Sequence, residues 1–143
     1  MARRRGRVSP EGVWEGTLFL DSHGLSELVS GRTSVTSLFI KSGEMRVKRA
    51  ISALTLIEVQ HPGIDKRRLR YILSCLEILD VTKDIAAEAV ALLHSTEKHG
   101  HSDAIDAVVA ATALRQPAPV LMLTSDPDDM NRLCDGRVRI TAV

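Results

Sequence analysis

The 143-residue chain predicts a three-layer α/β/α sandwich around a mostly parallel central sheet. Short apolar runs that read as buried strands alternate with longer stretches at helical spacing, the order that places helices on both faces of a sheet. Two of those runs, "TLFL" and "PVLMLT", are followed within two residues by Asp21 and Asp126, at the strand ends where open α/β sheets gather their ligands. The length suits one core and is too short for two.

Each element follows from local signals. Residues 1–16 hold four arginines and no hydrophobic periodicity, so a flexible basic arm is expected there, with a single domain over 17–143. "TLFLD" is a buried strand ending on an acid. A helix from near Ser22 buries Leu25, Leu28 and Val29 and stops at Gly31; a second, Ser34 to Ser42, turns Val35, Leu38 and Phe39 inward and is closed by Gly43. "MRVKRAIS" reads as a strand, and Ser52 as the cap of the helix "ALTLIEVQH", which Pro62 and Gly63 end. Asp65 caps "KRRLRYILSCL", where Leu69, Ile72, Leu73 and Leu76 recur at helical spacing, and strand "EILDV" follows. A helix from Lys83 to Lys98 is expected to bury Ile85, Ala86, Ala89, Val90 and Leu93. Ser102 can cap "DAIDAVVAATAL". Strand "PVLMLT", a short helix "PDDMNRLC" opened by Pro127, and strand "RVRITAV" complete the order.

Composition narrows the function. With 44% hydrophobic and 3% aromatic residues, the core is aliphatic, which argues against base stacking on aromatic platforms. The longest apolar run, Ala107 to Leu114, is far short of the roughly 20 residues that span a bilayer. The basic start lacks the apolar stretch of an export signal. A cytoplasmic protein without a membrane partner is expected. Cys75 and Cys134 form no CxxC pattern and read as reduced core thiols. The net charge of +1 hides an asymmetry: through Arg70, 13 Lys and Arg face 7 Asp and Glu, and beyond it 6 face 11. A basic half suits a polyanion and an acidic half suits cations, although two solvated faces give the same count.

The acids carry the chemistry. Asp103 and Asp106 share one helix face at i and i+3, while Glu58 sits among Leu56, Ile57 and Val59, where a carboxylate has no partner nearby in sequence. Singly, each has an ordinary reading: Asp103 and Asp106 suit a helix dipole, and Asp21 or Asp126 suits a cap. Converging, they repel by roughly 4 kcal/mol per pair at about 4 Å and an effective dielectric of 20. A cation is needed to hold them together, and an all-oxygen set selects Mg²⁺ or Mn²⁺. Such an ion polarises a phosphodiester and activates its water, so the implied reaction is phosphodiester hydrolysis.

Four ordered segments, "LFLDSHGLSELV", "ISALTLIEV", "SDAIDAVVAATAL" and "VLMLTSDPDDMNRL", resemble PIN-domain ribonucleases, particularly the VapC toxins of bacterial toxin–antitoxin pairs, from about Thr17 to Val143. The resemblance implies an endoribonuclease with Asp21, Glu58, Asp106 and Asp126 as catalytic acids. It makes Asp21 and Asp106 the metal ligands, Asp103, Asp126 and Asp129 secondary ones, and Thr124 and Ser125 the hydroxylated pair supporting the fourth acid. It further implies Mg²⁺ or Mn²⁺, a single-stranded RNA or tRNA substrate, a 5′-phosphate product, a homodimer and a small antitoxin. The long arginine-rich arm and Met130, where an aromatic is common, depart from the pattern without touching the acids.

Other signals are weaker. His94, His99 and His101 beside Asp103 do not complete a tetrahedral zinc set. Asp21, Ser22 and His23, adjacent in sequence, cannot form a hydrolase relay. No GxSxG elbow or phosphate-binding glycine loop is present. Arg46, Lys48 and Arg49 of "RVKR", Lys66, Arg67, Arg68 and Arg70 of "DKRRLR", and Arg3, Arg4, Arg5 and Arg7 of the arm are candidate RNA contacts. The rival to a nuclease is a catalytically silent PIN-like module that binds RNA or a partner protein.

Overall fold

The computed structural model describes residues 14–97 and 101–143. Arg3, Arg4, Arg5, Arg7 and His99, and with them most of the expected arm, lie outside these residues. Among the described residues the order is β1 (Thr17–Leu20), α1 (Ser22–Val29), α2 (Thr33–Gly43), β2 (Lys48–Ser52), α3 (Thr55–Glu58), α4 (Lys66–Ser74), β3 (Glu77–Leu79), α5 (Lys83–Thr96), α6 (His101–Leu114), β4 (Val120–Thr124), α7 (Pro127–Cys134) and β5 (Arg139–Ala142).

The five strands form one sheet in the order β3-β2-β1-β4-β5, and every pairing is parallel. The alternation of side chains along each strand divides the core between the two faces. Phe19, Ala50, Val120 and Met122 face α5, α6 and α7, whereas Leu18, Leu20, Ile51 and Leu123 face α1, α2 and α4. Two aliphatic cores on one parallel sheet are the expected three-layer sandwich.

From β1 the chain builds β2 and β3 on one side, then returns to place β4 and β5 on the other. The strand order therefore reverses between β1 and β4, the point at which parallel sheets open a crevice beyond their carboxyl ends. The first turn of α1 packs tightly there: a Cβ on Gly24 would lie 2.7 Å from the Leu123 carbonyl oxygen. Any side chain at this position pushes α1 off the end of β4.

Several local expectations are corrected. The helix after β2 is a single turn, and Leu54, not Ser52, occupies its cap position; the Ser52 hydroxyl instead accepts the Leu54 N–H at 3.2 Å. Gly43 ends α2 inside the helix, with Glu44 as its cap. The end of the Arg49 side chain packs against this glycine, 2.9 Å from where a Cβ would stand. On α5 the buried stripe is Ile85, Ala89 and Leu92, so Val90 falls beside it and is 51% exposed. Helix α6 begins at His101, which puts Ser102 inside its first turn rather than before it. Cys134 is buried but Cys75 is only half-buried. No helix among the described residues is long and apolar enough to cross a membrane.

Candidate metal centre

Asp21 follows β1 directly. Its backbone N–H donates to the Leu123 carbonyl at 3.2 Å, extending the β1–β4 ladder by one bond. Its Oδ1 accepts the Gly24 N–H at 2.9 Å, so the capping reading holds, and the side chain is buried at 7% exposure. One carboxylate oxygen is thereby fixed by the helix it starts. The capped conformation and the ladder together give Asp21 a single orientation at the sheet's centre.

Asp126 is placed by β4. Thr124 is fully buried, and its hydroxyl accepts the Asp126 N–H at 3.0 Å, which bends the chain out of the strand. Asp126 stands at the cap position of α7 yet makes no capping hydrogen bond with its side chain. Ser125 is exposed.

Asp106 is where the acids converge. Its pKa is pushed up to about 6, first by burial and then by the negative charges of Asp126, Glu58, Asp129 and Asp21. Those charges come from the loop after β4, from α3, from α7 and from the end of β1. Asp103, Asp106 and Asp129, each half-buried, can bring one carboxylate oxygen apiece within 4.8 Å of one another. Glu58 is likewise raised, by partial loss of water and then by Asp21, while His23 pulls it down. Contrary to the apolar setting its neighbours in sequence suggest, Glu58 is exposed, as is Ile57 at 71%. With only one turn, α3 has no continuous apolar stripe to draw it inward.

The structure therefore brings Asp21, Glu58, Asp106, Asp126 and Asp129 into one electrostatic neighbourhood, with Asp103 beside Asp106 and Asp129. The sequence alone makes Asp129 a secondary acid. Its place in the first turn of α7, three residues after Asp126, is the only local signal for it; its nearness to α6 appears only in the fold. His23 enters the sequence reading only as part of a hydrolase relay; its position in the first turn of α1 puts it within electrostatic reach of Glu58.

The donor set fits a hard divalent cation. Every group is a carboxylate, Asp106 is destabilised in its charged form, and the first turns of α6 and α7 carry Asp103, Asp128 and Asp129 where helix dipoles favour negative charge.

The basic groups do not all accompany the acids. Arg49 is 9% exposed, its guanidinium lies 4.4 Å from the Phe39 ring centroid, and its Nη1 donates to the Phe39 carbonyl at 3.2 Å. It is a core residue and not a surface contact for RNA. Lys48 pairs in register with Thr17, four residues before Asp21 and therefore about 13 Å away along the sheet at the usual rise. Arg46 precedes it and is exposed. Lys66, Arg67 and Arg70 are exposed on α4, and Arg68 donates from Nη2 to the Leu28 carbonyl at 3.4 Å.

A parallel α/β sandwich with carboxylates gathered at its central switch point defines a class of acid-centred α/β folds. The chain belongs to the PIN domain family, whose model matches residues 11–136. No curated protein matches the sequence significantly. Among solved structures it is similar to the Rickettsia felis VapBC2 complex bound to a DNA fragment of its promoter, with a TM-score of 0.69 and 16% identity over 89% of this chain and 98% of the other. A toxin–antitoxin complex from Klebsiella pneumoniae is similar at a TM-score of 0.64 and 26% identity, over 85% and 94% of the two chains. FitAcB from Neisseria gonorrhoeae follows at 0.56 and 17%, over 86% and 95%.

Proposed function

We propose that the protein is a metal-dependent endoribonuclease acting with Mg²⁺ or Mn²⁺, and that it is the toxin of a VapBC-type toxin–antitoxin pair. The observation that carries the nuclease reading is Asp106, a half-buried acid within electrostatic reach of four other carboxylates. Like charges held together in a fold are a standing cost that a bound cation removes. The toxin reading is supported by the likeness to toxin–antitoxin complexes. The same reading makes the protein a cytoplasmic homodimer, restrained by a small antitoxin, with single-stranded RNA or tRNA as substrate.

Asp21 and Asp106 would hold the ion, with Asp126, Asp103 and Asp129 completing its surroundings. When bound, the ion supplies Lewis acidity that polarises the phosphodiester and lowers the pKa of its water. The Gly24 N–H keeps one Asp21 oxygen fixed, so this ligand needs no rearrangement. Glu58, an exposed acid of the cluster, is the candidate to accept the proton of the attacking water. Breaking the P–O3′ bond then leaves a 5′-phosphate on one product and a 3′-hydroxyl on the other. Lys66, Arg67, Arg68 and Arg70 remain candidates for contacts to RNA phosphates.

The test is RNA cleavage by the wild type beside Asp21→Asn and Asp106→Asn, with a chelator control, and a thermal melt with and without Mg²⁺ or Mn²⁺. Cleavage that needs metal and both acids supports the reading. Absent cleavage together with an unshifted melt would instead make this a silent binding module.

A further inference from the structure

Between the carboxyl-terminal ends of α5 and α7 lies a cavity of about 460 Å³, within the roughly 300–1,000 Å³ of small-ligand sites. Its apolar wall is Leu92 and Leu133, both buried. Its polar wall is built from two guanidinium groups, Arg132 and Arg137, and two carboxylates, Glu97 and Asp135. The two acids hold the left-handed backbone conformation, Glu97 at φ 56° and Asp135 at φ 52°, where they close α5 and α7. That conformation is a common way for a helix to end, and it leaves both side chains at the ends of their helices beside the cavity.

The cavity adjoins the acidic centre. Arg132 lines it and also reaches back along α7 to Asp129, Nη1 to Oδ1 at 3.5 Å. A ligand seated in the cavity therefore lies beside a side chain that is paired with one of the acids, Asp129. Two carboxylates offset the two guanidinium charges, so a bare phosphate gains little here. The lining suits instead a flat heteroaromatic group that needs apolar walls, hydrogen-bond donors and acceptors at its edge, and a cation for an attached phosphate.

We propose that this cavity is a nucleotide subsite, taking one unstacked base of single-stranded RNA, with its phosphate on Arg132 or Arg137, next to the bond cleaved at the acids. This rests on the ribonuclease reading above and adds to it a place where sequence is read. Unpaired bases are held by planar side chains and by hydrogen bonds to their edges. In a chain whose two phenylalanines are both buried, guanidinium planes replace aromatic rings in the first role, and Glu97 and Asp135 accept from amino and imino groups in the second. The Ser95 hydroxyl, also in the lining, donates to the Leu92 carbonyl at 3.0 Å and keeps its lone pairs for a ligand.

The test uses the full chain, Ser95→Trp to fill the cavity and Arg137→Glu to reverse charge at its rim. Affinity is read by fluorescence anisotropy of labelled single-stranded oligoribonucleotides of the four homopolymers, in chelator so that none is cut. Cleavage of longer single-stranded RNA is read separately with Mg²⁺. Each variant is expected to bind at least one homopolymer about tenfold more weakly, the scale of one lost base contact, while the rise in melting point that Mg²⁺ gives the wild type is unchanged. Affinities equal to wild type in both variants overturn the subsite, as does a wild type that binds no oligoribonucleotide. If Ser95→Trp melts early, Arg137→Glu decides alone. A chain that binds RNA in a cavity-dependent way yet cuts nothing defeats the ribonuclease reading and leaves the subsite standing. A cavity whose filling spares RNA but releases a bound antitoxin belongs to protein, and the proposal is then wrong.

Discussion

At the amino end of the sheet, the buried Arg49 is fully engaged: it donates to the Phe39 carbonyl, lies over the Phe39 ring and fills the space that Gly43 leaves open. At the carboxyl end, about 10 Å along the strand, Asp21, Glu58, Asp126 and Asp129 instead crowd their charge upon Asp106. One end sets its charge against a carbonyl and a ring, and the other sets like charges against one another. That contrast separates residues that serve stability from residues that serve chemistry, and substitution at each end should give a different symptom.

The largest effect is expected at the carboxyl end. Asp21→Asn and Asp106→Asn should each slow RNA cleavage by about 10²–10³-fold, the scale for deleting one preorganised electrostatic group, while the protein stays folded by circular dichroism. A wild-type rate in either variant removes that residue from the centre. Next comes Arg49→Met, expected to cost about 2–3 kcal/mol in urea denaturation through its lost charged hydrogen bond, with cleavage per folded molecule unchanged. Were Arg49→Met to lose activity and keep stability, the two ends would not be distinct.

An intermediate effect follows from pH. The folded Asp106 holds its proton up to about 6, against 3.8 for an ordinary aspartate, so between these values the native state binds more protons than the unfolded chain. Metal-free stability should therefore fall as pH rises from about 4 to about 6 and stay low above it, by about 1 kcal/mol after allowance for solvent screening. Asp106→Asn should flatten that slope in denaturation curves taken in chelator. Mg²⁺ should raise the melting point more at pH 7.5 than at about 5.5, since protons and metal compete for the same oxygens. An equal rise at both pH values would show that Asp106 is not a ligand.

Smaller still, Thr124→Val removes the acceptor of the Asp126 N–H and should cost about 1 kcal/mol together with a several-fold drop in cleavage. A purely structural threonine would lower the melting point alone. The floor is set by the exposed Arg32–Glu27 pair, 3.3 Å apart, where Arg32→Ala should change stability by less than about 0.5 kcal/mol and cleavage not at all.

Strands β1 and β4 and helix α7 are legible in the sequence because apolar runs and a Pro at the first helical turn are local signals. So are the acids after β1 and β4, since a carboxylate that ends a buried strand is conspicuous in one dimension. The one-turn α3 is not, because "ALTLIEVQ" has the composition of a longer helix and only packing shows that Ile57 has nothing to cover it. Val90 and Gly43 mislead for the same reason: their roles depend on which stripe of α5 meets α6 and on where Arg49 turns. The neighbourhood of Arg132, Arg137, Glu97 and Asp135 is out of reach, since two helix ends far apart in sequence meet only in the folded chain.

The backbone bond from Asp21 N–H to the Leu123 carbonyl makes the acid at the end of β1 a rung of the innermost ladder. Amides so placed exchange with solvent only when the whole molecule opens. Heat should thus leave the acidic centre in place until cooperative melting begins, with no earlier loosening, and deuterium uptake at residue 21 would report the lifetime of the folded molecule as a whole.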